Sequence, residues 1–215
     1  MHIVKVLFLR KFCSVCIIYP AANFSNYFIR KLLYIISASG VPFGEVSVVN
    51  NWLKINGVAG KPKVEHPKRQ IEGLNCKRRE VSGERFWNFI KSVSGTPEIF
   101  FRNCLVYNHC PLIFMGKSGK NVTPPDMKID VRNKLLQLCD ETLKDVIELY
   151  SVKHIVGLGR FAETRAKKVV NDNLIKNVDV SFLIHPSPAS PAANKGWNEL
   201  AYKTLTDSKV IELMK

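Results

Sequence analysis

Three bends in the chain carry residues whose types and spacing suit chemistry. His185 follows an apolar run and opens His185-Pro-Ser-Pro-Ala-Ser-Pro191, a segment stiffened by three prolines. An imidazole at a strand end can exchange protons with a ligand, although a lone His is also a common structural residue. Asn108, in Tyr107-Asn-His-Cys-Pro111, carries an amide that both donates and accepts, which suits the edge of a nucleobase as well as it suits a turn. Phe43, in Val41-Pro-Phe-Gly44, is either a core side chain or a platform for a flat ring. Lys117-Ser-Gly-Lys-Asn-Val-Thr-Pro-Pro125 is a basic, hydroxyl-rich loop fit for phosphate contacts or for simple solvation.

The overall charge bears on these alternatives. The 215 residues hold 32 Lys and Arg against 18 Asp and Glu, a formal net charge of +14. That surplus points to a polyanionic partner, either nucleic acid or an anionic membrane face. With 46% hydrophobic and 23% charged residues, the chain suits one globular domain rather than two. No run is long enough to span a membrane, since Arg10-Lys11 and Pro20 interrupt the apolar stretches near the start. The first 44 residues contain no acid, whereas the rest still carry 27 bases against 18 acids. Residues 1–39 are therefore set apart from a domain over 40–215. They read as a transit peptide, as ordinary fold, or as a mis-spliced or truncated start.

The six cysteines (13, 16, 76, 104, 110 and 139) are scattered and read as free thiols of a reducing compartment. Cys13-x-x-Cys16 has no second pair at zinc spacing, so no metal site is expected. Gly157-Leu-Gly-Arg-Phe-Ala162 fits a relaxed dinucleotide fingerprint, with Asp179 downstream. Asp179, however, opens its strand, whereas a ribose-binding acid belongs at the strand's C-terminal end, and a tight strand–helix turn explains the glycines equally.

Hydrophobic periodicity supplies the elements that must position these bends. Helices are expected over 46–55, 82–93, 131–150, 160–171 and 194–214, and strands over 99–107, 154–158 and 178–184. In 82–93 the buried side is Phe86, Trp87, Phe89 and Ile90, and in 131–150 the stripe is Leu135, Leu138, Thr142, Val146 and Leu149. Strands separated by helices imply an α/β fold, a mostly parallel sheet with helices on both faces, with chemistry in loops beyond the strand ends.

Several short motifs occur in order. They are Gly40-Val-Pro-Phe-Gly-Glu-Val46, Glu65-His-Pro-Lys-Arg69, Val81-Ser-Gly83 with Arg85-Phe-Trp87, Asn108 with Cys110-Pro-Leu112, Ser118-Gly-Lys-Asn-Val-Thr-Pro124, His185-Pro-Ser-Pro188 and Ala193-Asn-Lys-Gly-Trp197. The set resembles the single-strand-selective monofunctional uracil-DNA glycosylases, within the uracil-DNA glycosylase superfamily, over about residues 40 to 215. The resemblance implies a DNA N-glycosylase of base excision repair. Such an enzyme flips out uracil or a 5-modified uracil such as hydroxymethyluracil and hydrolyses its N-glycosidic bond with water. It further implies that Phe43 stacks on the flipped base, that Asn108 reads its Watson–Crick edge and rejects cytosine, and that His185 donates to the base O2 as charge develops. DNA contacts would come from Ser118, Gly119, Lys120, Asn121 and Thr123, from Lys128 and Arg132, and from Pro186, Ser187, Pro188 and Lys195. The implied partner is single- and double-stranded uracil-containing DNA, with no cofactor, metal or membrane, and a monomeric enzyme. No Lys stands out as a Schiff-base nucleophile, so no lyase step is expected. A repair role implies the nucleus, and the acid-free start leaves a mitochondrial address open.

The sequence departs from the family at two places. The family carries a Gly-Met-Asn-Pro-Gly-Pro loop ahead of Gly-Val-Pro-Phe, whose Asn helps aim the attacking water. Val6-Leu-Phe-Leu9 is similar to the strand leading into that loop, but Arg10-Lys-Phe12 follows, and counting back thirteen from Phe43 lands on Arg30. The second departure is Ala189, where relatives carry Arg in the penetrating loop. The expected result is an impaired glycosylase; a non-catalytic DNA-binding relative and, more remotely, a dinucleotide-binding enzyme are the alternatives.

Overall fold

The computed structural model describes residues 15–19, 41–56, 65–68, 72–112 and 114–215. Strand β1 is Val15–Tyr19 and helix α1 is Val46–Asn51. Helices α2 (Val81–Ser94) and α3 (Pro97–Asn103) precede strand β2 (Leu105–Asn108). A small hairpin pairs β3 (Phe114–Met115) with β4 (Asn121–Val122). Then come α4 (Ile129–Leu149), β5 (His154–Leu158), α5 (Arg160–Asp172), β6 (Asp179–Leu183) and α6 (Pro191–Asp207), and a short 3-10 turn over Ile211–Met214.

The main sheet has the order β2-β1-β5-β6. β5 and β6 pair in parallel, and β1 pairs antiparallel with both β2 and β5. Strands β2, β5 and β6 thus run in one direction, as the α/β reading requires, and β1 runs against them. β1 lies inside the acid-free segment. The Val6–Leu9 stretch that resembles the family's first strand lies outside the described residues.

Alternation along the strands divides the core between the two faces. Val106, Val156, Leu158 and Leu183 join α1, α2, α3, α6 and the last turn in one buried cluster that includes Trp87, Phe86 and Trp197. Leu105, Tyr107 and Ile155 point the other way, to Leu143, Val146 and Ile147 of α4 and Ala162, Ala166 and Val169 of α5. Helices therefore cover both faces. Gly157 lets α5 settle on β5, since a Cβ there would lie 2.4 Å from the Glu163 backbone nitrogen. Asp179 pairs with His154, at the end of the sheet opposite Leu158. The glycines of the dinucleotide-like motif and its acid are thus at opposite ends, and the motif is a strand–helix packing device.

Two expectations need correction. The 99–107 run is not one strand: Thr96 caps a helix that Pro97 opens, and only Leu105–Asn108 is extended. A helix-starting pair outweighs the β propensity of Ile and Phe here. The α4 stripe is also displaced. Leu138 is 62% and Leu149 69% exposed, while Cys139, Leu143, Val146 and Ile147 face the sheet. Both stripes have helical spacing, and only the position of α5 selects between them. Leu143→Ala should therefore cost about 2–5 kcal/mol and Leu138→Ala no more than about 0.5 kcal/mol in urea unfolding. Equal losses would reinstate the 135/138/142 stripe.

Candidate active site

The C-terminal ends of β2, β5 and β6 lie on one edge of the sheet, because Val15 pairs with both Asn108 and Leu158, and Leu158 pairs with Leu183. Asn108 ends β2, Gly159 follows β5, and His185 follows β6. A Cβ built on Gly159 would lie 3.5 Å from that of His185, so these two strand ends are in contact. Alternation turns Asn108 toward the same face as Val106 and Leu158, which is also the face of Phe43.

Phe43 and His185 meet directly. Their ring centroids are 5.5 Å apart at 51°, and Phe43 also stacks on Phe86 at 4.8 Å. Phe43 is only 4% exposed, its ring covered in part by His185 and Phe86. Each ring is held by the residue before it. The Trp87 indole donates to the Pro42 carbonyl at 3.1 Å, and the Trp197 indole donates to the Ile184 carbonyl at 2.7 Å. Phe43 itself adopts a positive φ of 56°. Its carbonyl sits over Gly83, where a Cβ would lie 2.1 Å away.

Burial pushes the His185 imidazole down to about 4, so it is neutral at pH 7 and able to donate one N–H. Asn108 is fully buried, and neither its Oδ1 nor its Nδ2 has a hydrogen-bond partner among the described residues. Leaving such a group unpaired costs about 1–3 kcal/mol. A buried amide with both functions open needs a reason, and a complementary ligand edge supplies one. Behind it, His109 Nε2 lies 2.8 Å from Asp140 Oδ1, and Arg165 donates to the same carboxylate.

The loop after His185 is built into the scaffold. Arg85 donates to Asn194 Oδ1 at 2.9 Å and to the Pro186 carbonyl at 3.4 Å, while Asn194 Nδ2 donates to the Pro188 carbonyl at 2.8 Å. Pro186 is buried, Ser187 half-buried, and Pro188 and Ala189 form the exposed tip. Lys195 is exposed on α6, whose backbone kinks at Gly196. The Ser118–Lys120 turn forms a second structure. Gly119 is covered by His66 and Lys68, which brings Lys68 beside Ser118 and Lys120, all three exposed. The Thr123 hydroxyl is bonded to Asp126, and Lys128 and Arg132 enter α4 just beyond. The side chain of Asn121 lies outside the described residues. Sequence reasoning missed Arg85, Trp87, Trp197 and His66 as positioning groups. Trp87, Trp197 and His66 had a signal, each being a polar-tipped ring inside a short motif.

No family model matches the chain. It is similar to proteins named single-strand selective monofunctional uracil-DNA glycosylase. The Bos taurus protein is 45% identical over 179 residues, 83% of this chain and 65% of that protein. Those of Rattus norvegicus and Mus musculus are 46% and 44% identical over the same length, 83% of this chain and 64% of each relative. The similarity to the single-strand-selective monofunctional uracil-DNA glycosylases thus runs through 179 residues of the chain. It spans slightly less than two thirds of the length of these relatives.

The half-buried His185 imidazole should show itself in an NMR titration. His185 keeps its neutral shifts through pH 6 and titrates near 4. Because the folded value lies below the unfolded value of about 6.5, the unfolded chain binds the proton first. His185 therefore adds stability fully above about pH 6.5, and this is lost as pH falls toward 4. His185→Gln should flatten that part of the acid slope. Gly83→Ala should displace Phe43 and lower stability by about 1–3 kcal/mol, read by urea unfolding and by the Phe43–His185 cross-peaks.

Proposed function

We propose that this chain is a monofunctional DNA N-glycosylase of base excision repair, acting on uracil or a 5-modified uracil extruded from single- or double-stranded DNA. The observation that carries the reading is the buried Asn108 amide, unpartnered among the described residues, on the face and edge of the sheet where Phe43 meets a neutral His185. Uracil presents an acceptor next to an N–H, and an Asn amide answers both. Cytosine presents an amino group and an unprotonated nitrogen, so the same orientation sets donor against donor. Discrimination of this kind is worth about 1–3 kcal/mol.

Breaking the N-glycosidic bond leaves negative charge on the base. A neutral imidazole N–H at O2 stabilises that charge without carrying a competing positive charge into the buried site. Phe43 gives the ring its stacking surface once His185 moves off it. The 186–190 loop, braced by Arg85 and Asn194, is the rigid element that meets the strand, and its Ala189 tip limits wedging into duplex. Lys68, Ser118, Gly119, Lys120, Asn121 and Thr123 with Lys128, Arg132 and Lys195 supply backbone contacts. The enzyme works as a monomer without cofactor, in the nucleus, where its substrate is.

The sequence lacks the Gly-Met-Asn-Pro-Gly-Pro motif whose Asn, by the family resemblance, would aim the water, and this lack should lower the rate by about 10²–10⁴-fold. That observation favours one second reading, a DNA-binding relative without catalysis. Purified chain on single-stranded uracil DNA separates them: the glycosylase reading expects free uracil above background and no borohydride-trapped adduct. Bound DNA with no release supports the second reading. His185→Ala should reduce release by about 10²–10⁴-fold with DNA affinity little changed, and Asn108→Asp should change base choice. Affinity should fall steeply with salt; a flat response would remove both readings.

A further inference from the structure

β2 lies at the edge of the described sheet, paired on one side with β1, and Asn108 is its last residue. His109 comes next and is 1% exposed. Its Nε2 lies 2.8 Å from Asp140 Oδ1 on α4. Arg165 of α5 donates to both oxygens of that carboxylate, from Nε at 3.0 Å and from Nη2. We propose that His109 is a positioning residue for base recognition: through Asp140 and Arg165 it clamps the end of β2 to two helices and so fixes the direction of the Asn108 amide.

The polarity of the chain of bonds is fixed from its outer end. Paired with a guanidinium, the Asp140 carboxylate only accepts, so His109 Nε2 carries the hydrogen and donates. The two-pronged Arg165 contact sets the plane of the carboxylate, and an imidazole aimed at a fixed oxygen is itself fixed. Asp140 and Arg165 side chains are 15% and 16% exposed, so water competes little for these bonds. The Phe161 ring stands edge-on to the imidazole, with centroids 6.1 Å apart at 76°, and limits its swing. His109 Nδ1 has no hydrogen-bond partner among the described residues, which leaves Asp140 as the polar hold on the ring.

The proposal rests on the base-reading role of Asn108. That amide has no hydrogen-bond partner among the described residues, so its direction is inherited from its backbone. Any drift of the strand end passes directly to its two polar atoms, and hydrogen bonds weaken steeply once their angles fall below about 120°. Displacements of about 1 Å at a reacting centre cost about 10²-fold. A side chain that only filled space behind Asn108 would do better without polar atoms, since it would leave no buried nitrogen unpaired. The hydrogen-bonded chain to α4 and α5 supplies what an apolar ring could not, a directional anchor for a strand end that β1 holds from one side.

Affinity of the full chain is measured for fluorescent single strands that differ only in one uracil or cytosine. Wild type should prefer the uracil strand by at least about fivefold. His109→Leu, which leaves the Asp140–Arg165 pair intact, should keep cooperative urea unfolding and the cytosine-strand affinity, while the uracil preference falls to within about twofold of none. His109→Gln, whose amide nitrogen stands as many bonds from Cα as Nε2 does, should restore most of the preference, a rescue that a space-filling role does not predict. Arg165→Gln loosens only the outer link and should lower the preference in part; it decides the matter if His109→Leu does not fold. Nitrogen NMR of wild type should place the ring hydrogen of His109 on Nε2, and a ring protonated at Nδ1 alone overturns the proposal. A full uracil preference in folded His109→Leu, or in Arg165→Gln where the Leu variant is unfolded, overturns it too and leaves Asn108 as reader. Wild-type chain with no uracil preference instead overturns the base-reading role, and this proposal with it.

Discussion

Two indole N–H groups hold the site together. Trp87 and Trp197 bury their rings in one aromatic cluster around Phe86 and spend their single donor on the carbonyls of Pro42 and Ile184. Those carbonyls immediately precede Phe43 and His185. Each bond alone contributes about 0.5–1.5 kcal/mol, but both donors are fixed by a core that cannot shift without opening edge-to-face ring contacts. Loops carrying a stacking ring and an imidazole are thereby given the precision of helices, because their backbones hang from helical side chains.

The same economy appears on the other face. His109 turns away from Asn108 and is tied to Asp140, whose carboxylate also accepts from Arg165, between α4 and α5. Asn108 thus needs no side-chain partner of its own to stay in place: its strand pairs with β1 and its neighbour is anchored behind it. An amide held this way by backbone leaves both polar atoms without a hydrogen-bond partner among the described residues, at a cost to stability.

Much of this was legible in the residues. The buried side of α2 and the strand over 154–158 followed from periodicity. The ordered motifs carried the family. What periodicity could not supply was the choice between two equally spaced stripes on α4, since Leu138 and Leu143 differ only in which neighbour arrives. It could not supply the split of 99–107 either, where Thr96-Pro97 overrode β-branched and aromatic content. Nor could it show that Phe43 is a core ring in contact with His185, because that depends on His185 arriving from a segment 142 positions away. Arg85 was silent for the same reason: its partners at 186 and 194 are distant in the chain.

The backward course of β1 has one more consequence. β1 lies between β2 and β5 in the sheet, so Asn108 at the end of β2 and His185 after β6 stand on either side of both β1 and β5. Three inter-strand steps, about 14 Å, separate the axes of β2 and β6. The spacing of the two strand ends is therefore a property of the sheet, and the inserted antiparallel ribbon contributes one of its steps.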